Sequence, residues 1–127
     1  MYESRIAELL RHATAAELDA LAVVPGPNMA YLFGLSFHLS ERPVVAFVPV
    51  AGTNVVVVPA LEEGKARAAP VRCEVVTYDD VAGPARAFRD ALGILGLAGR
   101  WLGVEGRRIR FLELDLMARS EVGPRIF

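Results

Sequence analysis

The stretch PVVAFVPVAGTNVVVV, residues 43–58, decides the fold class of this chain. It contains two blocks rich in β-branched residues, Val44–Val48 and Val55–Val58, and the loop between them includes Gly52. Two short apolar strands joined by a glycine-containing loop are typical of a β-hairpin. The sequence therefore predicts two adjacent antiparallel strands near the middle of the chain.

Helices and strands are predicted to alternate on either side of this hairpin. An amphipathic helix of about three turns opens the chain, because Ile6, Leu9, Leu10 and Ala13 recur at helical spacing. The apolar run 18–24, closed by Pro-Gly-Pro, predicts a strand buried on both faces. Further helices are predicted at 28–33, between Pro59 and Pro70 and along 88–95, and further strands at 73–78 and 101–104.

Residues 111–119 fit two patterns. The segment LELDL at 112–116 alternates like a strand, whereas the composition of 111–119 favours a helix, which is our interpretation. Strands that alternate with helices, together with one hairpin, predict an α/β fold. We expect a three-layer α/β/α sandwich with a mixed sheet of about five strands, one of them the antiparallel hairpin strand. The apolar ending Arg125-Ile126-Phe127 suggests that residues 1–127 form one domain, cut at a boundary.

Composition excludes several classes of protein. Hydrophobic residues make up 54% of the chain and charged residues 23%, as in an ordinary globular domain. The net charge of −1 argues against nucleic-acid and membrane-surface partners, which favour basic proteins. The longest apolar run, 55–61, is too short to span a bilayer. Cys73 is the only cysteine, which excludes an intramolecular disulfide and suits a cytoplasmic protein.

Few residues suggest catalytic or metal chemistry. His12 and His38 are the only histidines, and His12 falls on the polar side of the first helix, so no metal site is predicted. Asp79-Asp80 follows a strand but is expected to cap the turn before Gly-Pro. Cys73 lies in a predicted strand and is interpreted as an inert packed thiol.

The loop 35–43 is the strongest candidate for a functional segment. It brings Phe37, His38, Glu41 and Arg42 together between a helix and a strand, and surface loops often carry function. The structural alternative is a loop whose phenylalanine packs into the core and whose arginine pairs with Glu41. The basic segment 107–110 is interpreted as a solvated or acid-paired surface, with a contact to a partner domain as the alternative.

The order of these segments resembles the N-terminal domain of the creatinase/prolidase/aminopeptidase P family. The resemblance covers nearly the whole chain and is carried by five stretches that are individually weak motifs. Phe33 stands where the family often has threonine before the glycine. The stretches are RIAELL (5–10), LDALAVV (18–24), NMAYLFG (28–34), ERP (41–43) and GVEG (103–106).

The resemblance implies a ribonuclease H-like sandwich that supports catalysis carried out elsewhere. Family members continue into a C-terminal metallopeptidase domain of pita-bread fold, which holds two divalent metal ions (manganese, cobalt or zinc) and cleaves bonds that precede proline. This chain is expected to lack that domain, to need no cofactor of its own and not to be an enzyme. The implied partners are the catalytic domain of the same polypeptide, a second subunit in a homodimer, and short proline-containing peptides.

By position, the loop that approaches the neighbouring active site in some members corresponds here to residues 37–42. The resemblance therefore implies that Phe37, His38 and Arg42 contact the neighbour's substrate or the rim of its active site. Two other classes remain open. The chain could be a stand-alone protein-interaction module that has lost the peptidase. It could also be a small hydrolase built on Ser36 and His38, although GLSFH lacks the second glycine of a nucleophile elbow.

Overall fold

The described part of the chain forms five α-helices and six strands, which alternate apart from two successive strands near the middle. The computed structural model describes residues 1–120 and 123–127. A turn of 3₁₀ helix, Ala60–Glu62, directly precedes the third helix. The helices are α1 (Tyr2–Ala15), α2 (Pro27–Phe33), α3 (Glu63–Arg67), α4 (Ala85–Leu95) and α5 (Phe111–Ala118), and the strands are β1 (Ala20–Val23), β2 (Val45–Pro49), β3 (Asn54–Pro59), β4 (Cys73–Tyr78), β5 (Trp101–Val104) and β6 (Arg125–Ile126).

The strands form one mixed sheet in the order β4-β3-β2-β1-β5-β6. The predicted hairpin is confirmed, because β2 pairs antiparallel with β3 and Phe47 lies opposite Val55. β2 is also antiparallel to β1, whereas the other pairings are parallel. Consequently β1, β3, β4 and β5 end at the edge of the sheet where β2 begins, which we call the carboxyl edge.

The sheet has one strand more than the five or so predicted. β6 is two residues long and pairs in parallel with β5, with Arg125 opposite Trp101. Backbone N–H groups of Arg125 and Phe127 donate to the carbonyls of Arg100 and Leu102, at 2.7 and 2.8 Å. So short a strand carries no readable alternation, which is why the apolar chain end did not predict it.

Helices cover both faces of the sheet, which confirms the α/β/α sandwich. One core lies between the sheet and α4 and α5, where Phe47 and Phe88 meet edge to face with ring centroids 6.4 Å apart. The other core lies between the opposite face and α1, α2 and α3, around Met29 and Phe33, which are fully buried. Alternate residues of the buried strands supply the two cores, as expected for a sheet covered on both sides.

Local chemistry explains where the helices differ from expectation. α2 begins at Pro27 and ends at Gly34, whose φ of 67° is left-handed and suits glycine. The helix predicted between Pro59 and Pro70 is shorter, since only the 3₁₀ turn and α3 form. Residues 111–118 are helical, as interpreted. Their strand-like alternation arises partly because Glu113 is buried against Arg110 instead of facing solvent.

Candidate functional site

The predicted functional loop, residues 35–43, joins α2 to β2 at the carboxyl edge. Leu35 at its start is buried, at 3% exposure, and Val44 beyond its end is buried, at 4%. Between them the chain has no regular secondary structure, and His38 and Leu39 are exposed. Because both ends of the loop are embedded in the core, its middle is held at the surface in a defined place.

Arg42 is fixed by an ion pair with Asp80, which follows β4. Its Nε and Nη2 atoms donate to the two carboxylate oxygens of Asp80 at 2.9 and 2.7 Å. Glu41 is a looser neighbour, since its Oε1 lies 3.7 Å from Nη1 of Arg42. The bidentate pair is the strong form of an arginine–carboxylate contact. The hydrogen bonds that the Arg42 guanidinium donates to Asp80 lower the pKa of this carboxyl group below its ordinary value.

Two further anchors fix the backbone of the loop. The Tyr78 hydroxyl donates to the carbonyl of Pro43 at 2.7 Å, and burial raises the pKa of that tyrosine. Arg110 donates to the carbonyl of Ser40 at 2.6 Å. Arg110 is in turn held by Glu113, whose side chain is only 1% exposed. The loop is therefore bound to β4 through a hydrogen bond of Tyr78 and to the start of α5 through Arg110, whose charge is balanced by Glu113.

Phe37 lies against the side of α3. Its ring is half-buried, packs on the core beneath α2, and has the ammonium group of Lys65 4.8 Å from its centroid. Phe37, His38 and Arg42 line a surface depression of about 120 Å³ together with residues of the segment 59–65. Sequence reasoning therefore identified three side chains that share one concave surface.

The structure agrees only in part with the other predictions made for this loop and for the Asp79-Asp80 pair. Phe37 does pack on the core, as the structural alternative proposed, but the main partner of Arg42 is Asp80 and not Glu41. Asp79 caps a turn as predicted, because its Oδ1 accepts the N–H of Ala82 at 2.7 Å. The same prediction was wrong for Asp80, whose carboxylate is taken by Arg42. The pair is 38 residues apart in sequence, so no local spacing could reveal it.

The basic segment 107–110 is acid-paired at its last residue. Arg110 donates through Nε and Nη2 to Glu113, at 3.1 and 2.6 Å. The sequence contained one signal for this contact, the acidic residue three positions into a helix, which is typical of a capping box. The sequence did not indicate that four residues contact this loop: Lys65, Tyr78, Asp80 and Arg110.

A second concave surface lies between α1, α2, β1 and β5. This cleft has a volume of about 360 Å³ and a largely apolar floor that includes Leu21 and Val23. Glu105, the acid of the GVEG stretch, stands at its rim and accepts the N–H of Val24 and the side-chain amide of Asn28, both at 2.7 Å. One carboxylate oxygen thus binds the residue after β1 and the other binds the first turn of α2, which joins both to the segment that follows β5.

Metal-binding groups and the setting of Ser36 bear on whether this domain has chemistry of its own. Within residues 1–120 and 123–127 no three His, Cys, Asp or Glu side chains are grouped so that they could hold a metal ion. Ser36 follows a helix, not the strand that a nucleophile elbow requires. No helix in the described ranges combines the length and apolarity needed to cross a bilayer.

Comparison with known proteins identifies relatives of the same fold. No curated protein sequence matches the chain significantly. A prolidase from Thermococcus sibiricus has a TM-score of 0.80 and 23% identity, over 99% of this chain and 34% of its own. A proline dipeptidase from Streptococcus pneumoniae has a TM-score of 0.82 and 23% identity, over 95% and 87%. The Creatinase/Prolidase N-terminal domain of an X-PRO dipeptidase from Streptococcus pyogenes has 0.82 and 18%, over 98% of both chains.

These likenesses establish the fold, and the lengths show what part of a larger protein it represents in the relatives. The chain spans about a third of the prolidase from Thermococcus sibiricus and of a dipeptidase from Pyrococcus horikoshii, 34% and 33%. The family model for the Creatinase/Prolidase N-terminal domain matches residues 5–120, a range that contains α1 from Arg5 onward, α2 to α5 and the strands β1 to β5. This chain therefore belongs to the creatinase/prolidase N-terminal domain family.

Proposed function

We propose that residues 1–127 are the non-catalytic N-terminal domain of a metal-dependent Xaa-Pro dipeptidase or aminopeptidase. In this proposal a C-terminal domain of the same polypeptide holds two divalent metal ions and cleaves short proline-containing peptides in the cytoplasm. The N-terminal domain contributes to a homodimer and to the rim of the neighbouring active site. The observation that supports this most is the likeness of nearly the whole chain to one third of a prolidase.

The anchored loop supports the rim assignment. Rims that select substrates need side chains held in place before the ligand arrives, because ordering them on binding costs affinity. The loop 35–43 meets this requirement through the bonds of Asp80 to Arg42, Tyr78 to Pro43 and Arg110 to Ser40. It still exposes an imidazole and leaves part of a guanidinium accessible, since the Arg42 side chain is 39% exposed.

Exposed apolar side chains support a contact with another polypeptide surface. Four large ones lie in segments that begin or end at the carboxyl edge: Leu39, Leu61, Val81 and Phe111, which are 53%, 82%, 99% and 76% exposed. Large apolar side chains left exposed at one edge of a sheet are candidates for an interface with another polypeptide. In the proposed enzyme, this side of the domain faces the catalytic domain of the partner subunit.

Replacing Arg42 in the full-length protein tests the rim assignment. For a dipeptide ending in proline, Arg42→Ala is expected to raise KM about fivefold with kcat nearly unchanged, because a charge-assisted contact made equally to substrate and transition state is lost. Steady-state kinetics measure both constants. Arg119→Ala is the matched control, since Arg119 is also an exposed arginine paired with an acid, Asp115. Equal kinetics for Arg42→Ala, Arg119→Ala and the parent, with an unchanged dimer by sedimentation, would remove the rim assignment.

The alternative function is a protein-interaction module of the same fold that has lost the peptidase. The acid-paired and apolar carboxyl edge is equally suited to bind a protein surface. Metal content of the full-length protein separates the two functions. About two divalent ions per chain, measured by mass spectrometry of the purified protein, are expected for the peptidase. A polypeptide without bound metal and without peptidase activity would favour the interaction module.

A further inference from the structure

Arg42 has two acidic neighbours that hold it in different ways. Asp80 binds side-on, through Nε and Nη2, at hydrogen-bond distances of 2.9 and 2.7 Å. Glu41 lies near the other edge of the guanidinium, 3.7 Å from Nη1, which is beyond a hydrogen bond. The side chain of Glu41 is 81% exposed, whereas that of Asp80 is 64% exposed. One carboxylate is therefore bound and the other is only nearby.

The geometry leaves part of the guanidinium available to a ligand. A guanidinium carries five N–H donors, and the bonds to Asp80 use only two of them. The remaining donors include both N–H groups of Nη1, on the edge that Glu41 approaches. A carboxylate can bind this edge bidentately while Asp80 stays in place, because the side-on and end-on positions of an arginine are distinct.

Space for such a ligand exists on both sides of Arg42. On one side is the depression that Phe37 and His38 line. On the other side is a depression of about 310 Å³, lined by Glu41, Asp80 and the turn that follows β4. Arg42 stands between the two, so a short peptide that crosses it would place its terminal carboxylate against the free edge.

We infer that Asp80 is a positioning residue that presents Arg42 to the terminal carboxylate of a short peptide, and that Glu41 lies beside the place of that carboxylate and competes with it for the guanidinium. The inference deepens the proposed function and rests on it. It assigns opposite effects to two neighbouring acids: Asp80 improves binding of a carboxylate substrate, whereas Glu41 competes with it. A purely electrostatic effect would give both acids the same sign, since both would repel an anionic substrate.

The test compares two substrates in the full-length enzyme, a dipeptide with a free C-terminal carboxylate and the same dipeptide as its C-terminal amide. Asp80→Asn is expected to raise KM for the free acid about threefold, the effect of one well-formed exposed ion pair. Glu41→Gln is expected to lower KM for the free acid about twofold, because a weaker competitor is removed. Neither change should alter KM for the amide.

Asp79→Asn is the matched control for Asp80→Asn. It removes a charge at the adjacent position, and asparagine can still accept the N–H of Ala82 that Asp79 binds. Its kinetics with both substrates should match those of the parent. If Asp80→Asn changes KM for the acid and the amide alike, Asp80 only stabilises the loop and the inference fails. It fails equally if Asp80→Asn and Glu41→Gln both lower KM for the acid.

Failure of the inference can be distinguished from failure of the proposed function. Arg42→Ala should abolish the difference in KM between the acid and the amide that the parent enzyme shows. If Arg42→Ala preserves that difference, the loop does not meet the substrate and the rim assignment itself is wrong. If Arg42→Ala abolishes the difference but Asp80→Asn and Glu41→Gln leave it unchanged, Arg42 binds substrate and only the roles of its two acidic neighbours are overturned.

Discussion

Single side chains of this domain are fixed by partners that are distant in sequence. Arg42 depends on Asp80, Arg110 on the carbonyl of Ser40, and Glu105 on the backbone of Val24. Each contact joins two segments that connect strands and helices at the carboxyl edge. The loops at this edge are therefore positioned by specific polar bonds in addition to the hydrophobic cores, and single substitutions can alter one loop at a time.

Cys73 provides a test of side-chain environment. Burial of its thiol in β4 raises the pKa, and the charge of Arg67 opposes this shift only in part. A raised pKa means less thiolate at a given pH, and the thiolate is the form that reacts. Alkylation by iodoacetamide at pH 8 should therefore be slower in the folded protein than in guanidinium chloride, as followed by mass spectrometry. Equal rates would contradict the burial of the thiol.

The candidate site shows how far residue-level prediction reaches. Phe37, His38 and Arg42 were identified because an aromatic ring, an imidazole and a guanidinium occur within one loop, and the structure places all three around one depression. Their roles at a rim stay a prediction. Asp80, Tyr78 and Arg110 were not connected with the loop, because these contacts depend on the order of strands in the sheet. That order is a long-range property that local spacing does not contain.

At the scale of elements, the end of α2 depends on Gly34. Its φ of +67° is unfavourable for other residues, and a Cβ atom there would lie 3.0 Å from Cγ of Pro70 and 3.1 Å from the hydroxyl of Tyr2. Gly34→Ala is expected to lower the free energy of unfolding by about 1–2 kcal/mol, from the left-handed conformation together with this crowding. Urea denaturation followed by circular dichroism measures the change.

Gly96 offers a matched control at the end of α4. It has a similar φ of +63°, but a Cβ atom there would meet nothing within 4 Å. Gly96→Ala should therefore show the conformational cost alone, and the difference between the two variants measures the crowding at Gly34. If the two substitutions destabilise the protein equally, the contacts of Pro70 and Tyr2 with Gly34 have no energetic weight.

Elements with a strong pattern were predictable and elements defined by pairing were not. The valine blocks predict β2 and β3 through their β-branched residues, and the apolar stripe predicts α4 through its helical period. In α5 the helical composition outweighed a strand-like alternation, since Glu113 turns inward to bind Arg110. β6 exists only because its backbone pairs with β5, which leaves no mark on its own sequence.

For the whole molecule, the core between the sheet and α4 should dominate stability. Phe88 is fully buried there and meets Phe47 across the interface. Phe88→Ala is expected to cost about 3–5 kcal/mol, because it removes buried surface and leaves a cavity. Domains of this size have about 5–15 kcal/mol in all, so the variant should unfold at much lower urea concentration.

Ile94→Ala is the control for Phe88→Ala, because Ile94 lies on the same helix but is 51% exposed. Its cost should stay below about 1 kcal/mol, as for most surface substitutions. A comparable loss of stability in both variants would contradict the dominant role of the buried face, because alanine favours the helix at both positions and cannot itself explain a loss.

The overall architecture was readable because it follows from two features that sequence displays directly. The alternation of helical and strand periods predicts an α/β fold, and the valine hairpin requires one reversed strand. The order β4-β3-β2-β1-β5-β6 was not predicted, because several orders satisfy the same alternation.

The reversal of β2 has a consequence for how such a domain can diversify. Because that strand starts where its neighbours finish, the loop 35–43 that leads to it can be exchanged without rerouting the chain across either helical layer. A loop of different sequence would need to keep only a few of the hydrogen bonds that fix its backbone, such as the bond from the Tyr78 hydroxyl to the carbonyl of Pro43. The loop can therefore vary in sequence while the sheet and the two helical layers stay the same.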